Sequence, residues 1–432
     1  MHHRPSERTR RRKVLLIAFH YPPCGTSSGL QRTLAFSIHL RSLGWQPYVL
    51  TVKPQAYEQT SPSQLRDIPA DVTVVRTRAL DAARHLAVRG RYWSRLAIPD
   101  RWTSWWLTAV PAAVSLVRRE RIQVIWSTYP IATAHWIASA TARLTGRPWV
   151  ADFRDPLVET HPETGEIFPV DSRLRNARLR VEAAAVRGAS RLHFCTQGAR
   201  DIVAGRYSGV RAERLAVIPN GFEEQTFIDA ERLPSPAATG RRYLLHSGMI
   251  YPGADRDPTQ LFDALKGLLE SGAIAADTLE VRLRNPSNTE YFERLALERG
   301  VASIVSILPS LPYREALAEM LAADGLLLLQ GITSNPAVPA KCYEYLRARR
   351  PILALVHPDG ETARTLRTAG IEDMASLDDV PGIRALLLRW LAADAASGFG
   401  TATRAAVAAY SRGKLAERLA EELDAVCPAT DT

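Results

Sequence analysis

Residues 335–356 read NPAVPAKCYEYLRARRPILALV, and the run before them, residues 325–331, reads GLLLLQG. The GLLLLQG run has the composition of a fully buried parallel strand. Asn335 with Pro336, then Pro339, offers an N-cap and a preset first turn, which predicts a helix carrying Lys341, Glu344 and Tyr345. That helix must stop before RRP, where PILALV opens a second apolar strand. Strand, loop, helix and strand form a βαβ unit, and ligands of such sheets bind outside the carboxyl ends of the strands. Lys341 falls in the first helical turn, where the helix dipole disfavours a cation. A nearby anion would account for it, and exposed N–H groups at a helix start suit phosphate. Glu344, one turn further on, can accept two hydroxyl hydrogen bonds, as from a ribose. A surface helix with an i,i+3 Lys–Glu pair explains the same residues without a ligand.

A chain of 432 residues exceeds what one hydrophobic core usually serves, so two α/β domains are expected. Lys plus Arg is 55 against 45 for Asp plus Glu, a net charge of +10, with arginines clustered at residues 8–13 and 173–191. Such a surface suits nucleic acid, anionic lipid or phosphorylated substrates, or is simply a solvated basic face. The sequence lacks zinc spacing, a ribonucleoprotein-type aromatic strand and a basic-zipper heptad, so nucleic acid is not expected as a partner. Cys24, Cys195, Cys342 and Cys427 are far apart and form no CxxC, which argues against a disulfide framework or zinc site and fits a reducing cytosol. No apolar run approaches the ~20 residues of a membrane helix. The expected protein is soluble, or at most peripheral to a membrane.

Residues 1–11 read as a disordered basic arm. KVLLIAF (13–19) is an opening buried strand that runs into the loop HYPPCGTSSGLQR, with a helix from about Leu30 to Leu43 and a strand at YVLTV. Gly25 and Gly29 would let backbone approach a ligand, although GTSSG is neither a dinucleotide GxGxxG nor a phosphate-loop GK[ST]. Five of the nine tryptophans lie between residues 92 and 126, either as core at helical spacing or as an exposed aromatic face beside arginines. His135 sits on the helix after the strand QVIWST, where it either packs or touches substrate. WVADFRDPL (149–157) ends an apolar strand in Asp152, Arg154 and Asp155, so these three crowd the ligand edge or tie down the loop as an Asp–Arg network. ERLPSPAATGR (231–241) has linker composition. The second half restarts the pattern with RYLLHSGMIY (242–251). Asp255-Arg256-Asp257 is a literal DxD, but Asp257-Pro258-Thr259-Gln260 reads as a helix start with Asp257 as its cap. Arg256 then points a bidentate donor where a diphosphate would lie.

PAKCYEYLRARRPILAL resembles the nucleotide-binding segment of retaining GT-B glycosyltransferases of the group 1 or family-four type. DFRDP is similar to an acceptor-side loop of that family, and IPNGF (218–222) to the stretch just before its interdomain linker. The resemblance implies an α/β fold of two doubly wound Rossmann-like domains facing a central cleft. Residues 12–230 would form the acceptor-side domain, with the C-terminal helix 403–427 packing back on it, and 241–400 the nucleotide-sugar domain. Glu344 would hold the donor ribose, with Gly25, Gly29, Gly248, Arg256 and Lys341 around the donor. Asp155, Arg256 and Lys341 would be the catalytic groups, and Asp152, Arg154 and His135 would lie on the acceptor side. No metal and no cofactor beyond the nucleotide diphosphate sugar is expected. The implied reaction is transfer of the sugar to a hydroxyl of a glycan or lipid-linked acceptor in cell-surface polysaccharide or glycoconjugate synthesis, in the cytoplasm or at the inner face of an anionic membrane. Two departures stand out: Pro336 occupies the place of a second Glu eight positions before Glu344, and Met249 replaces a basic residue. They keep open a non-catalytic nucleotide-sugar-binding subunit; a nucleotide-sugar epimerase on the same architecture is a second alternative.

Overall fold

The apolar run at the start of the chain becomes β1 (Arg12–Ile17), whose last four residues have no exposed surface. Such burial on both faces is what a central parallel strand requires. A computed structural model describes residues 11–25, 29–87, 89, 91–161, 164–234, 240–253, 255–394 and 398–427. Most of the expected basic arm, residues 26–28 of the GTSSG loop and residues 235–239 of the expected linker lie outside the described residues.

The strands that follow are β2 (Trp45–Val52), β3 (Thr73–Thr77), β4 (Val124–Thr128), β5 (Trp149–Arg154), the hairpin β6 (Glu159–Thr160) and β7 (Ile167–Phe168), β8 (Arg191–Phe194) and β9 (Leu215–Val217). They form a seven-stranded parallel sheet in the order β3-β2-β1-β4-β5-β8-β9, with the hairpin apart. The second half gives β10 (Arg242–Ser247), β11 (Leu279–Arg284), β12 (Val305–Leu308), β13 (Gly325–Leu329), β14 (Ile352–Leu355) and β15 (Met374–Ala375). These form a parallel sheet in the order β12-β11-β10-β13-β14-β15. Both orders run 3-2-1-4-5 and onward within their sheets, so each is doubly wound and reverses direction between its first and fourth strands. The switch points therefore fall between β1 and β4 and between β10 and β13.

Contacts divide the described residues into two units: those up to Pro219 together with those from Arg412 onward, and Asn220–Ser411. The described ends of the linker-like stretch, residues 231–234 and 240–241, thus belong to the second unit. The helix Glu224–Ala230 before it belongs there too, because Phe227 is buried in that core and Arg347 pairs with Glu224 at 2.6 Å. The expected last helix is two: Arg404–Ala408 in the second unit, and Arg412–Val426 in the first. Leu415, Leu419 and Leu423 of the latter enter the first core, each burial contributing about 2 kcal/mol. Trp45 Nε1 donates to Asp424 at 2.9 Å, and Arg191 donates to Glu422 at 3.1 Å, tying the end of the helix to β2 and β8.

Candidate functional site

In the second unit the chain leaves β10 through His246, Ser247 and Gly248, at the switch point. Gly248 has φ +146°, a conformation that side chains resist, and a Cβ there would lie 2.2 Å from Lys341 Nζ. The glycine is thus what lets the Lys341 side chain run beside the strand end. Lys341 stands in the first turn of the helix Ala340–Ala348, which starts later than Asn335. Asn335 instead ends a 3₁₀ turn, Ile332–Ser334, and its carbonyl accepts from Glu361 N at 2.9 Å. Pro339, with extended ψ, occupies the N-cap position and offers no side-chain cap.

Lys341 Nζ lies 3.0 Å from His246 Nε2, whose other ring nitrogen is 2.9 Å from Leu327 O. Burial, then the charge of Arg256, brings the Lys341 ammonium down from 10.5 to about 7, with Glu344 pulling the other way. Arg256 adds a second cation. Its Nε is buried without a hydrogen bond, and its nearest carboxylate, Asp255, is 3.8 Å away. Asp255 is itself engaged by Thr333 Oγ1 at 2.7 Å and Ser334 Oγ at 2.8 Å. Asp257 accepts from Thr259 N at 2.8 Å but is not the N-cap expected from the sequence: Pro258 holds that position, without a side-chain cap, and the helix Thr259–Glu270 begins one residue later than the pattern suggests. The Asp257 carboxylate is therefore taken up within its own loop, and that of Asp255 by the turn at Thr333 and Ser334. Glu344 accepts from Tyr313 OH at 2.7 Å and remains half-exposed, one turn from Lys341. Two crowded cations at a helix start, with a carboxylate alongside, make a place where an anion would relieve repulsion.

The first unit presents a different edge. Asp152, at the end of β5, is fully buried and accepts from Arg32 Nε at 2.9 Å, Arg32 Nη2 at 2.7 Å and Thr128 Oγ1 at 2.7 Å. Burial alone would raise its carboxyl, but the Arg32 charge and bonds outweigh that and hold it below the usual range. Arg32 also donates to Pro219 O at 2.8 Å and Ile218 O at 3.0 Å. Asp152 therefore clamps the start of the first helix and the end of β9 to β5, and its carboxylate is not available to an acceptor. His135 also needs correction. It is fully buried, hydrogen-bonded to Ser127 Oγ at 2.8 Å and packed 4.9 Å from the Phe153 ring, with burial holding it down to about 4. Its side chain is core and does not reach the ligand edge.

Arg154 and Asp155 do occupy that edge. Arg154 has φ +61°, rare for a side-chain-bearing residue, and its Nε is buried without a partner. Asp155 is half-buried, and burial pushes its carboxyl upward against Arg154. His20, at the exit of β1, joins them: burial, then Arg154, holds its imidazole down to about 4, so it is neutral. Gly29 lines a recess on this edge with His20, Thr128 and Tyr129. Gly25 has another use. Its N–H donates to Gln59 O at 3.0 Å, and a Cβ there would lie 3.3 Å from the Gln59 backbone. Sequence reading missed His20, Arg32, His246 and Tyr313. A polar residue at the carboxyl end of an apolar strand was the available signal for His20 and His246. Arg32 and Tyr313 gave none, since their partners lie 120 and 31 residues away.

Residues 30–221 match the family model of the glycosyl transferase 4-like domain. The fold of the whole chain is that of the GT-B glycosyltransferases. The Anabaena protein HepE in complex with UDP-glucose superposes with a TM-score of 0.65 over 96% of this chain and 99% of that one, at 16% identity. WaaG, a glycosyltransferase involved in lipopolysaccharide biosynthesis, gives 0.60 over 96% and 100%, at 16% identity. A Listeria monocytogenes protein assigned as a UDP-N-acetylglucosamine 2-epimerase gives 0.61 over 98% of each chain, at 14% identity. A search of the curated proteins gave no match.

Proposed function

We propose that the chain transfers a sugar from a nucleoside-diphosphate sugar to a hydroxyl of a glycan or lipid-linked acceptor, with retention of configuration and without a metal ion. The observation that carries this reading is the pair Lys341 and Arg256, held at the second switch point with Glu344 one turn away. As the sugar leaves, the diphosphate gains charge, and fixed cations and a helix start stabilise that charge more than the ground state. Glu344 would receive the ribose hydroxyls, and the diphosphate would lie between Lys341 and Arg256. On the first unit's edge, Asp155 would orient the acceptor hydroxyl, and the departing phosphate oxygen would take its proton. Arg154 would face the acceptor, and His20 joins it there as a neutral donor or acceptor.

UDP is the first nucleotide to test, because HepE was crystallised with UDP-glucose. A thermal-shift screen of UDP, GDP, ADP and their sugars should show stabilisation by one nucleotide family. Purified protein should then turn that donor over with extracted lipid-linked acceptors in chelator. Turnover restored only by manganese would reject the metal-free mechanism. Epimerised sugar and free nucleotide without acceptor would instead favour the epimerase reading, and donor binding without any turnover a non-catalytic subunit. Glu344→Gln, checked for folding, should weaken UDP binding by about 1–3 kcal/mol, the scale of a hydrogen bond to a charged group. Unchanged affinity by calorimetry would remove Glu344 from the site.

A peripheral contact with anionic membrane is part of the same proposal. Residues 91–96 are all exposed, Arg91, Tyr92, Trp93, Arg95 and Leu96 among them, and Trp93 is 80% exposed. An aromatic flanked by arginines suits a headgroup interface. None of the described helices is long and apolar enough to cross a membrane. Co-sedimentation with phosphatidylglycerol vesicles, weakened by salt and lost in Trp93→Ala with Arg91→Glu and Arg95→Glu, is the expected result. Equal binding by the triple variant would place any membrane contact elsewhere.

A further inference from the structure

We propose that His246 is a positioning residue for the donor site: its Nε2 lone pair holds the Lys341 amine at the strand end without cancelling its charge. This rests on the reading of Lys341 as a diphosphate ligand. The assignment follows from hydrogen-bond chemistry. Leu327 O can only accept, so the Nδ1 that lies 2.9 Å from it carries the proton. The other nitrogen, Nε2, is then an acceptor, and Lys341 Nζ lies 3.0 Å from it. The ring is fully buried in β10, and burial, then the Lys341 charge, keeps it from protonating, well below its ordinary value. Arg256 adds to that effect. Its neutral tautomer is therefore stable in the presence of both cations.

A carboxylate in this place would anchor the lysine equally well, but it would neutralise it and compete with the diphosphate. Among the groups whose charges act on Lys341, Arg256 repels and Glu344 attracts, and Glu344 is already bonded by Tyr313 OH. Histidine supplies direction without counter-charge. Gly248 completes the arrangement, because any side chain there would displace Nζ. The lysine is thus aimed by a backbone carbonyl, through a histidine, along one hydrogen-bonded line from β13 to the helix start.

His246→Leu removes the acceptor, whereas His246→Gln keeps an amide oxygen within reach of Nζ. With UDP as probe, the leucine variant should bind about 10-fold more weakly, as expected for losing one charge-assisted bond. The glutamine variant should stay within about 3-fold of the parent. Adding His246→Leu to Lys341→Met should cause no further loss. Parent-like binding by the leucine variant, or a glutamine variant as weak as leucine, would overturn the proposal. The intact protein gives a second test that needs no variant: ¹⁵N-histidine NMR should report the Nδ1–H tautomer for His246, and an Nε2–H tautomer would equally overturn it. A parent that binds no UDP counts against the nucleotide reading, and the tautomer then decides the role of His246.

Discussion

Lys341→Met should lower kcat/KM for the donor by about 10³-fold with the fold intact, and Arg256→Ala by about 10², the range seen when one donor to a developing anion is removed. Methionine keeps the length of the stem, so the half-buried channel beside Gly248 stays filled. Because the two cations share one diphosphate, their losses should not add in a double-mutant cycle. The pH dependence gives an independent signature. In the free protein burial and Arg256 bring Lys341 to about 7, while bound diphosphate favours the charged form and raises it. UDP affinity should therefore fall as pH rises above about 7, and the Lys341→Met variant should lose that dependence. The sign for folding is the reverse. The unfolded lysine, at 10.5, binds more protons than the folded one between about 7 and 10.5, so this group makes the free protein more stable as pH rises through that window. If both variants, shown folded, bind UDP and turn over like the parent, the donor site is elsewhere.

How much of this was legible depended on the range of the interactions involved. The βαβ unit around residues 325–356 could be read because its apolar runs and prolines act locally, and the structure places β13, the helix Ala340–Ala348 and β14 there. Edge strands were harder. β3 is only half-buried and β15 has two residues, so neither leaves an apolar run to read. The helix start moved from Asn335 to Ala340 because Asn335 is used by Glu361, a contact with no local signal. Lys341 as an out-of-place cation was readable from the dipole. That it is held by a histidine 95 residues earlier was not. On the first unit the cluster Asp152, Arg154 and Asp155 was visible as charge at a strand end. Regular alternation would put Asp152 and Arg154 on one face, but a register shift separates them: Asp152 turns into the core and meets Arg32, while Arg154 leaves the regular ladder with positive φ.

That buried pair carries the largest expected effect on stability. Asp152→Ala should destabilise the first unit by about 3–5 kcal/mol, since it leaves the Arg32 guanidinium buried opposite no carboxylate. Arg32 is 6% exposed and Asp152 is not exposed at all, so neither charge can turn to water. The cost lies in the orphaned partner more than in the pair itself. Replacing both, as Arg32→Met with Asp152→Leu, should therefore recover a large part of the loss, although the carbonyls of Ile218 and Pro219 also lose their donor. The pH dependence follows from the depressed carboxyl: its contribution is present above the unfolded value near 3.8 and is lost as pH falls through the lower folded value. Asp152→Ala should accordingly show a shallower loss of stability in acid than the parent. Urea unfolding followed by tryptophan fluorescence reads the right unit, because eight of the nine tryptophans precede Pro219 and only Trp390 lies in the second. A shift below about 1 kcal/mol in the single variant, the scale of an exposed pair, would mean that water reaches Arg32 and that the clamp between β5 and β9 is not what holds this edge.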